Sequence, residues 1–77
     1  MQCFLIKIDT SKNQRRFYNM HLAPTLFGGW SLVREWGRIG SGGRLKIDPF
    51  SSEQEALSEL EKIRNEKIKG GYQSINQ

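Results

Sequence analysis

The chain has 77 residues, of which 36% are hydrophobic and 26% charged, and its formal net charge is +4. This length suits one domain stabilised by packing, because one cysteine cannot form an internal disulfide and one cysteine with one histidine cannot complete a zinc site. No apolar run approaches the roughly 20 residues that span a bilayer. We therefore expect a cytoplasmic monomer that binds neither a membrane nor a cofactor.

The positive charge is concentrated in the first part of the chain. Residues 1–46 carry eight basic and two acidic side chains, a balance of +6, whereas residues 47–77 carry four basic and six acidic side chains, a balance of −2. A polyanion would therefore bind to the N-terminal part. The alternative is a solvated basic sheet that has no partner.

Alternation of side chains predicts four strands, Cys3–Ile8, Phe17–Leu22, Trp30–Ile39 and Arg44–Ile47. A polar loop, residues 9–16, separates the first two strands. Pro24 and Gly28-Gly29 mark the next connection. The glycine-rich segment 40–43 predicts a hairpin turn, although its amides could also face a phosphate.

After Phe50 the pattern changes to helical spacing. Ser52 and Glu55 fit a capping box, apolar residues recur every three or four positions, and Gly70-Gly71 ends the helix. The expected fold is α+β, an antiparallel sheet of four or five strands with one C-terminal helix packed on one face. We expect a single domain over residues 1–77, with its core in 3–72 and a flexible tail at 73–77.

The third strand carries an unusual combination of residues on one side. Period two places Trp30, Leu32, Arg34, Trp36 and Arg38 together. Two indoles and two guanidinium groups make this side too cationic for an ordinary core and too aromatic for an ordinary solvated surface. We expect it on the sheet face opposite the helix, or at the rim of that face.

The order of motifs along the chain resembles the WGR domain family. Trp36-Gly37-Arg38 lies in a strand that ends in a glycine-rich turn, and Arg16-Phe17-Tyr18 resembles the family's basic-aromatic strand opening. Ser52–Ala56 and the Lys-x-x-x-Gly-Tyr close at 67–72 extend the match to roughly residues 3–72. One departure is Arg15-Arg16, where the family often has Asn-Lys.

The resemblance implies a DNA-binding role and no enzymatic activity. The family is known from DNA-dependent poly(ADP-ribose) polymerases, where the module binds near strand breaks, and from bacterial proteins. Its Trp packs on the sugar of a terminal nucleotide and its Arg works at the phosphate or at domain contacts, which implies these roles for Trp36 and Arg38. The polymerases' catalytic domain has no counterpart in this sequence.

Further candidates for phosphate contact follow from charge and position: Arg34, Arg15, Arg16, Arg44, Lys46 and Lys12. The open alternatives are core or sheet-face packing for Trp36 and an ion pair with Glu35 or Asp48 for Arg38. Trp30 is expected to pack in the core. We expect DNA binding of low sequence specificity, with a preference for ends, nicks or single strands. The alternative is a protein-interaction module that uses the same face.

Overall fold

The order of elements agrees with the prediction over the residues that this computed structural model describes, 1–75. The strands and the helix are β1 Gln2–Asp9, β2 Gln14–Pro24, β3 Trp30–Arg38, β4 Gly43–Phe50, α1 Glu53–Lys69 and β5 Gln73–Ser74. A 3₁₀ turn, Thr10–Lys12, connects β1 to β2. The α+β class, the antiparallel sheet and the C-terminal helix are confirmed.

The sheet has five antiparallel strands in the order β4-β3-β2-β1-β5. The last strand lies beside the first, with Ser74 opposite Leu5. Ile75 then donates its N–H to the carbonyl of Phe4 at 3.0 Å. Sheet pairing therefore includes Gln73 and Ser74, in the segment where the sequence predicted a flexible tail. The sequence pattern does not reveal this pairing, because main-chain hydrogen bonds require no particular side chains. Residues 76 and 77 of that predicted tail lie outside the described part of the chain.

Three strands are longer than their sequence patterns indicated, β1 by one residue at each end and β2 and β4 by more. β2 begins at Gln14, so Arg15 and Arg16 lie in a strand and not in the predicted loop. β4 continues through Pro49 to Phe50. A proline is tolerated there because β4 is an edge strand, where a missing N–H need not break a pairing bond.

Helix α1 begins as the capping box predicts. The Ser52 hydroxyl accepts a hydrogen bond from the Glu55 N–H at 3.2 Å, and the Ser51 hydroxyl also bonds the Glu55 carboxylate. Hydrogen bonds from these two hydroxyls lower the pKa of Glu55. Among residues 1–75, no helix is long and apolar enough to cross a membrane.

The core lies between α1 and one face of the sheet, called here the helix face. Strand residues Cys3, Leu5, Tyr18, Met20 and Leu32 meet Leu60 and Ile63 of the helix, and all are buried. These are apolar positions of the first three strands and of the helical stripe, so burial of apolar area accounts for the helix position.

The third strand's aromatic and cationic side is also on the helix face, and not on the opposite face. Trp36 lies directly across from the buried Tyr18, and Arg34 lies across from Met20. The expectation of the face opposite the helix, or of the rim of that face, was therefore wrong, since Trp36 and Arg38 lie on the helix face near the end of β3. The other face, called here the open face, carries no helix and includes Phe4, Ile6 and Phe17.

Candidate nucleic-acid interface

Trp36 is part of a cluster of three aromatic rings that includes Tyr18 and Tyr72. Its ring is stacked on the Tyr18 ring with a centroid distance of 5.6 Å and an interplanar angle of 20°. Tyr72, from the segment after α1, meets Tyr18 edge-on at 6.3 Å and 74°. Tyr18 is buried, whereas Trp36 is only half-buried. The stack therefore fixes the orientation of an indole whose remaining surface is accessible.

Lys67 brings a cation from the helix to this stack. Its Nζ lies 4.6 Å from the Tyr18 ring centroid and 5.7 Å from that of Tyr72. Lys67 follows Ile63 by four positions, so it continues the apolar stripe of α1 beyond the core. The two rings favour a positive charge at this position through their π-faces. Lys7 of β1 also lies near the Tyr72 ring, with 5.9 Å from its Nζ to the ring centroid.

Three cations form a row across the sheet at this end. Lys7 lies opposite Arg16, and Arg16 lies opposite Arg38, so three neighbouring strands each place one on the helix face. This set is called the cationic row. Within residues 1–75, no carboxylate lies within ion-pair distance of any of them. Like charges directly across a sheet repel one another, so the row is a surface that an anion would stabilise.

Arg38 is oriented by the loop at the start of β2. Its Nη1 donates to the carbonyl of Asn13 at 3.1 Å. Asn13 adopts the left-handed conformation, with φ of 52°, which asparagine tolerates better than most residues. Arg38 itself is exposed. The Asn13 carbonyl accepts from one of the five N–H donors of the Arg38 guanidinium, and the other four remain available.

Arg34 has a different environment. Its Nη2 donates to the Asp48 carboxylate at 2.7 Å and its Nη1 to the Tyr18 hydroxyl at 3.3 Å. The Arg34 side chain is only 17% exposed. Burial lowers the pKa of Arg34, but the bonds to Tyr18 and Asp48 outweigh it and raise the pKa overall. Asp48 therefore pairs with Arg34, and not with Arg38 as one alternative had it.

Gly37 separates Trp36 from Arg38 because a side chain there would collide with the neighbouring strand. A Cβ at Gly37 would lie 3.0 Å from the Gly43 Cα and 3.5 Å from the Phe17 ring. A Cβ at Gly43 would lie 2.6 Å from the Trp36 carbonyl oxygen and 2.9 Å from that ring. The ring of Phe17 covers the two glycines on the open face, which lets β3 and β4 pair closely beside the site.

Two adjoining recesses open at this end of the molecule. One, of about 250 Å³, is called the indole recess and is lined by Arg16, Trp36, Gly37, Arg38 and Tyr72. The other, of about 340 Å³, is called the lysine recess and is lined by Lys7, Gln14, Arg16, Glu66, Lys67, Gly70 and Tyr72. Arg16 and Tyr72 belong to both. An aromatic plane and several cations thus line two recesses that share part of their walls.

The structure brings some of the predicted site residues together and separates others. Trp36, Arg38 and Arg16 share the indole recess, and Arg44 lies directly across from Trp36 on β4. Lys46 lies across from Arg34. Two predicted residues stand apart, since Arg15 is on the open face beside Ile8 and Lys12 is in the 3₁₀ turn.

Sequence reasoning missed three residues of this site, Lys7, Lys67 and Tyr72. Lys67 could have been noticed in the sequence, because it is a charged residue at a position where the helical periodicity predicts an apolar one. Lys7 and Tyr72 had none, because alternation does not reveal which strand or segment will lie beside another. Within the described residues, no three His, Cys, Asp or Glu side chains cluster in a way that could hold a metal ion.

Fold and site together define a small α+β domain with a cationic and aromatic surface at one end of its sheet. The family comparison is unambiguous, since the model of the WGR domain matches residues 1–77. This chain belongs to the WGR domain family.

Similar proteins are considerably longer than this chain. An uncharacterized protein of Sinorhizobium fredii, y4dW, is 36% identical over 69 residues, which cover 90% of this chain and 34% of that protein. Human protein mono-ADP-ribosyltransferase PARP3 is 29% identical over 70 residues, covering 91% and 13%. A crystal structure of a Bacteroides fragilis protein shares the fold, with a TM-score of 0.81 and 24% identity over 99% of this chain and 20% of that one.

Proposed function

We propose that this domain is a non-catalytic DNA-binding module that holds phosphates at the cationic row and a sugar or base on Trp36. WGR domains bind nucleic acid in poly(ADP-ribose) polymerases, and a WGR domain alone is a non-catalytic module. The cationic row is the observation that carries the proposal. The three cations have no ion-pair partner among residues 1–75 and repel one another, and a phosphate backbone supplies anions at regular spacing.

Trp36 supports a preference for DNA ends, nicks or single strands. The indole presents a flat apolar surface held by the Tyr18 stack, and such a surface packs on a sugar or an unstacked base. Within a continuous duplex the bases are stacked and offer an indole little to pack on. At a strand terminus the last nucleotide is stacked on one side only, so its sugar or base can pack on the indole. The terminal phosphate would then enter the neighbouring lysine recess.

Low sequence specificity follows from what surrounds the row. The exposed acidic side chains Glu53, Glu61 and Glu66 of α1 would be repelled by the phosphates that flank a major groove, so α1 is unsuited to act as a recognition helix. The exposed donors are Lys and Arg side chains grouped around an aromatic plane, a combination suited to backbone contact.

We assign the candidate cations different roles within this proposal. Arg16, Arg38 and Arg44 adjoin Trp36 and contact phosphate directly, together with Lys7 and Lys67. Arg34 is a positioning residue, because its guanidinium holds the hydroxyl of Tyr18 under the indole. Lys12 and Lys46 supply charge at the periphery, and Arg15 faces away from the site.

Binding of labelled DNA measured by fluorescence anisotropy tests end recognition. We expect a 5′-phosphorylated nicked duplex to bind more tightly than a closed circular duplex of the same sequence. Trp36→Ala should remove this difference, with a loss of about 1–3 kcal/mol on the nicked duplex, as for other base-stacking aromatics. Equal affinity of the wild-type protein for both duplexes would refute end recognition while leaving phosphate binding intact.

Adjacent arginines on opposite faces provide a matched test of the binding face. Arg16→Gln should weaken DNA binding and reduce the slope of log K against log salt by about one, whereas Arg15→Gln should leave that slope unchanged. The two variants have the same net charge and lie on the same strand. Equal losses in both would show that binding follows overall charge and would refute the assignment to the cationic row.

A further inference from the structure

In the described part of the chain, the outer edge of β4 has no neighbouring strand. Among residues 1–75, β4 pairs with β3 alone, and residues 43–47 are all exposed. Leu45 is 63% exposed and Ile47 is 57% exposed, which is high for large apolar side chains in a strand. An edge of this kind can accept another extended segment through main-chain hydrogen bonds.

Two details indicate which backbone groups point outwards. Pro49 has no N–H to donate to β3, which indicates that its position in β4 is one whose backbone groups point away from β3. A Cβ at Gly37 would lie only 3.0 Å from the Gly43 Cα, the close approach typical of opposite residues that exchange no hydrogen bonds. Bonded and unbonded positions alternate, so Leu45 and Ile47 also direct their N–H and C=O groups to the free edge.

The two sides of this edge have different chemistry. Arg44 and Lys46 lie on the helix face, across from Trp36 and Arg34, whereas Leu45 and Ile47 lie on the open face. A strand added to the edge would therefore meet cations on one side and exposed apolar side chains on the other.

We propose that the free edge of β4 binds an extended segment of a partner protein in which acidic and apolar residues alternate. Its acidic side chains pair with Arg44 and Lys46, its apolar side chains cover Leu45 and Ile47, and its backbone becomes a sixth strand. A second copy of this chain fits poorly, because two β4 edges joined with both helices on one side would place these cations against each other. The proposal does not depend on DNA binding, although an acidic segment would compete with DNA for Arg44.

Amide hydrogen exchange with a short peptide of alternating glutamate and valine tests the proposal. We expect the amides of Leu45 and Ile47 to become protected on peptide addition, while those of Arg44 and Lys46, already bonded to β3, change little. This alternate pattern is specific to strand addition. Uniform shifts along β4 without new protection at Leu45 and Ile47 would overturn the proposal, as would concentration-dependent dimerisation of the free protein through this edge.

Charge reversal provides a matched control for the partner's chemistry. Lys46→Glu should weaken binding of the glutamate–valine peptide about threefold to tenfold, since an attractive cross-strand pair becomes a repulsive one. Lys62→Glu makes the same charge change on an exposed position of α1 and should alter binding by less than about 1.5-fold. Equal weakening in the two variants, or equal wild-type binding of a lysine–valine peptide, would overturn the proposed selection for acidic residues.

Discussion

Removal of the Asp48 carboxylate should destabilise the whole domain through Arg34. Four-fifths of the Arg34 side chain is shielded from water, and its 2.7 Å bond to Asp48 is charge-assisted. A hydrogen bond to a charged group contributes about 1.5–3 kcal/mol, and breaking a fully buried pair costs about 3–5 kcal/mol. Asp48 is 32% exposed, so water can partly replace it. We expect Asp48→Ala to cost about 2 kcal/mol.

Thermal and urea denaturation measure this cost. For a domain of this size, about 2 kcal/mol corresponds to a decrease in Tm of roughly 8–16 °C. Arg34→Met should cost less than Asp48→Ala, because it removes the buried charge and leaves no unpaired guanidinium. Glu35→Ala, an exposed carboxylate on the open face, is the control and should change stability by less than about 0.5 kcal/mol. An effect of Asp48→Ala no larger than that of Glu35→Ala would show that water screens the pair.

Three further predictions concern the sheet, the helix and the core. Gly43→Ala should destabilise the fold by about 1–3 kcal/mol, because its Cβ would lie 2.6 Å from a backbone oxygen of β3, whereas Gly42→Ala, which faces open space, should have little effect in the same thermal denaturation. Ser52→Ala should cost about 1 kcal/mol at neutral pH. The pKa of Glu55 is lower in the folded protein than in the unfolded chain. The ionised Glu55 carboxylate therefore stabilises the fold fully above the ordinary carboxyl pKa, and this stabilisation is lost as the pH falls through the folded-state pKa of Glu55. Urea titrations across acidic pH should show a smaller pH dependence in Ser52→Ala. Cys3 is 2% exposed and burial raises its pKa, so a thiol reagent should label it about a hundredfold more slowly in native protein than in urea.

Each of these predictions has a result that would contradict it. Equal stability of the Gly43 and Gly42 variants would show that β4 moves to accommodate a methyl group. An unchanged pH dependence in the Ser52 variant would mean that its hydroxyl does not stabilise the Glu55 carboxylate. Rapid labelling of Cys3 without denaturant would indicate frequent opening of the contact between β1 and α1.

The sequence was sufficient for the elements but not for their juxtaposition. Alternation and the Ser52–Glu55 capping box are local signals, so four strands and the helix could be predicted. The sequence could not predict which sheet face the helix covers, because both faces carry apolar residues. Phe4 and Ile6 lie on one face, and Leu5 and Met20 lie on the other. The side of β3 that carries Trp36 was therefore assigned to the wrong face.

The candidate site was predictable only where its members share a strand or a motif. Trp36 and Arg38 lie two positions apart on one strand, and period two alone puts them together. Lys7 and Lys67 come from opposite ends of the chain and meet through pairing of β1 with β2 and packing of α1. Such proximity depends on the complete topology, which a pattern along one sequence does not contain.

Pairing of β5 with β1 determines how this domain can be joined to other segments. Ile75 is bonded to Phe4, so the backbone enters and leaves the described region at one corner of the sheet. Along β1, Met1 lies six residues from Lys7, roughly 20 Å at 3.3 Å per residue, and Ile75 lies beside Phe4, about 10 Å from the level of Lys7. Segments attached at either end would emerge away from the cationic row. The fold can therefore be inserted into a longer polypeptide as a cassette, with its binding end unobstructed by the junctions.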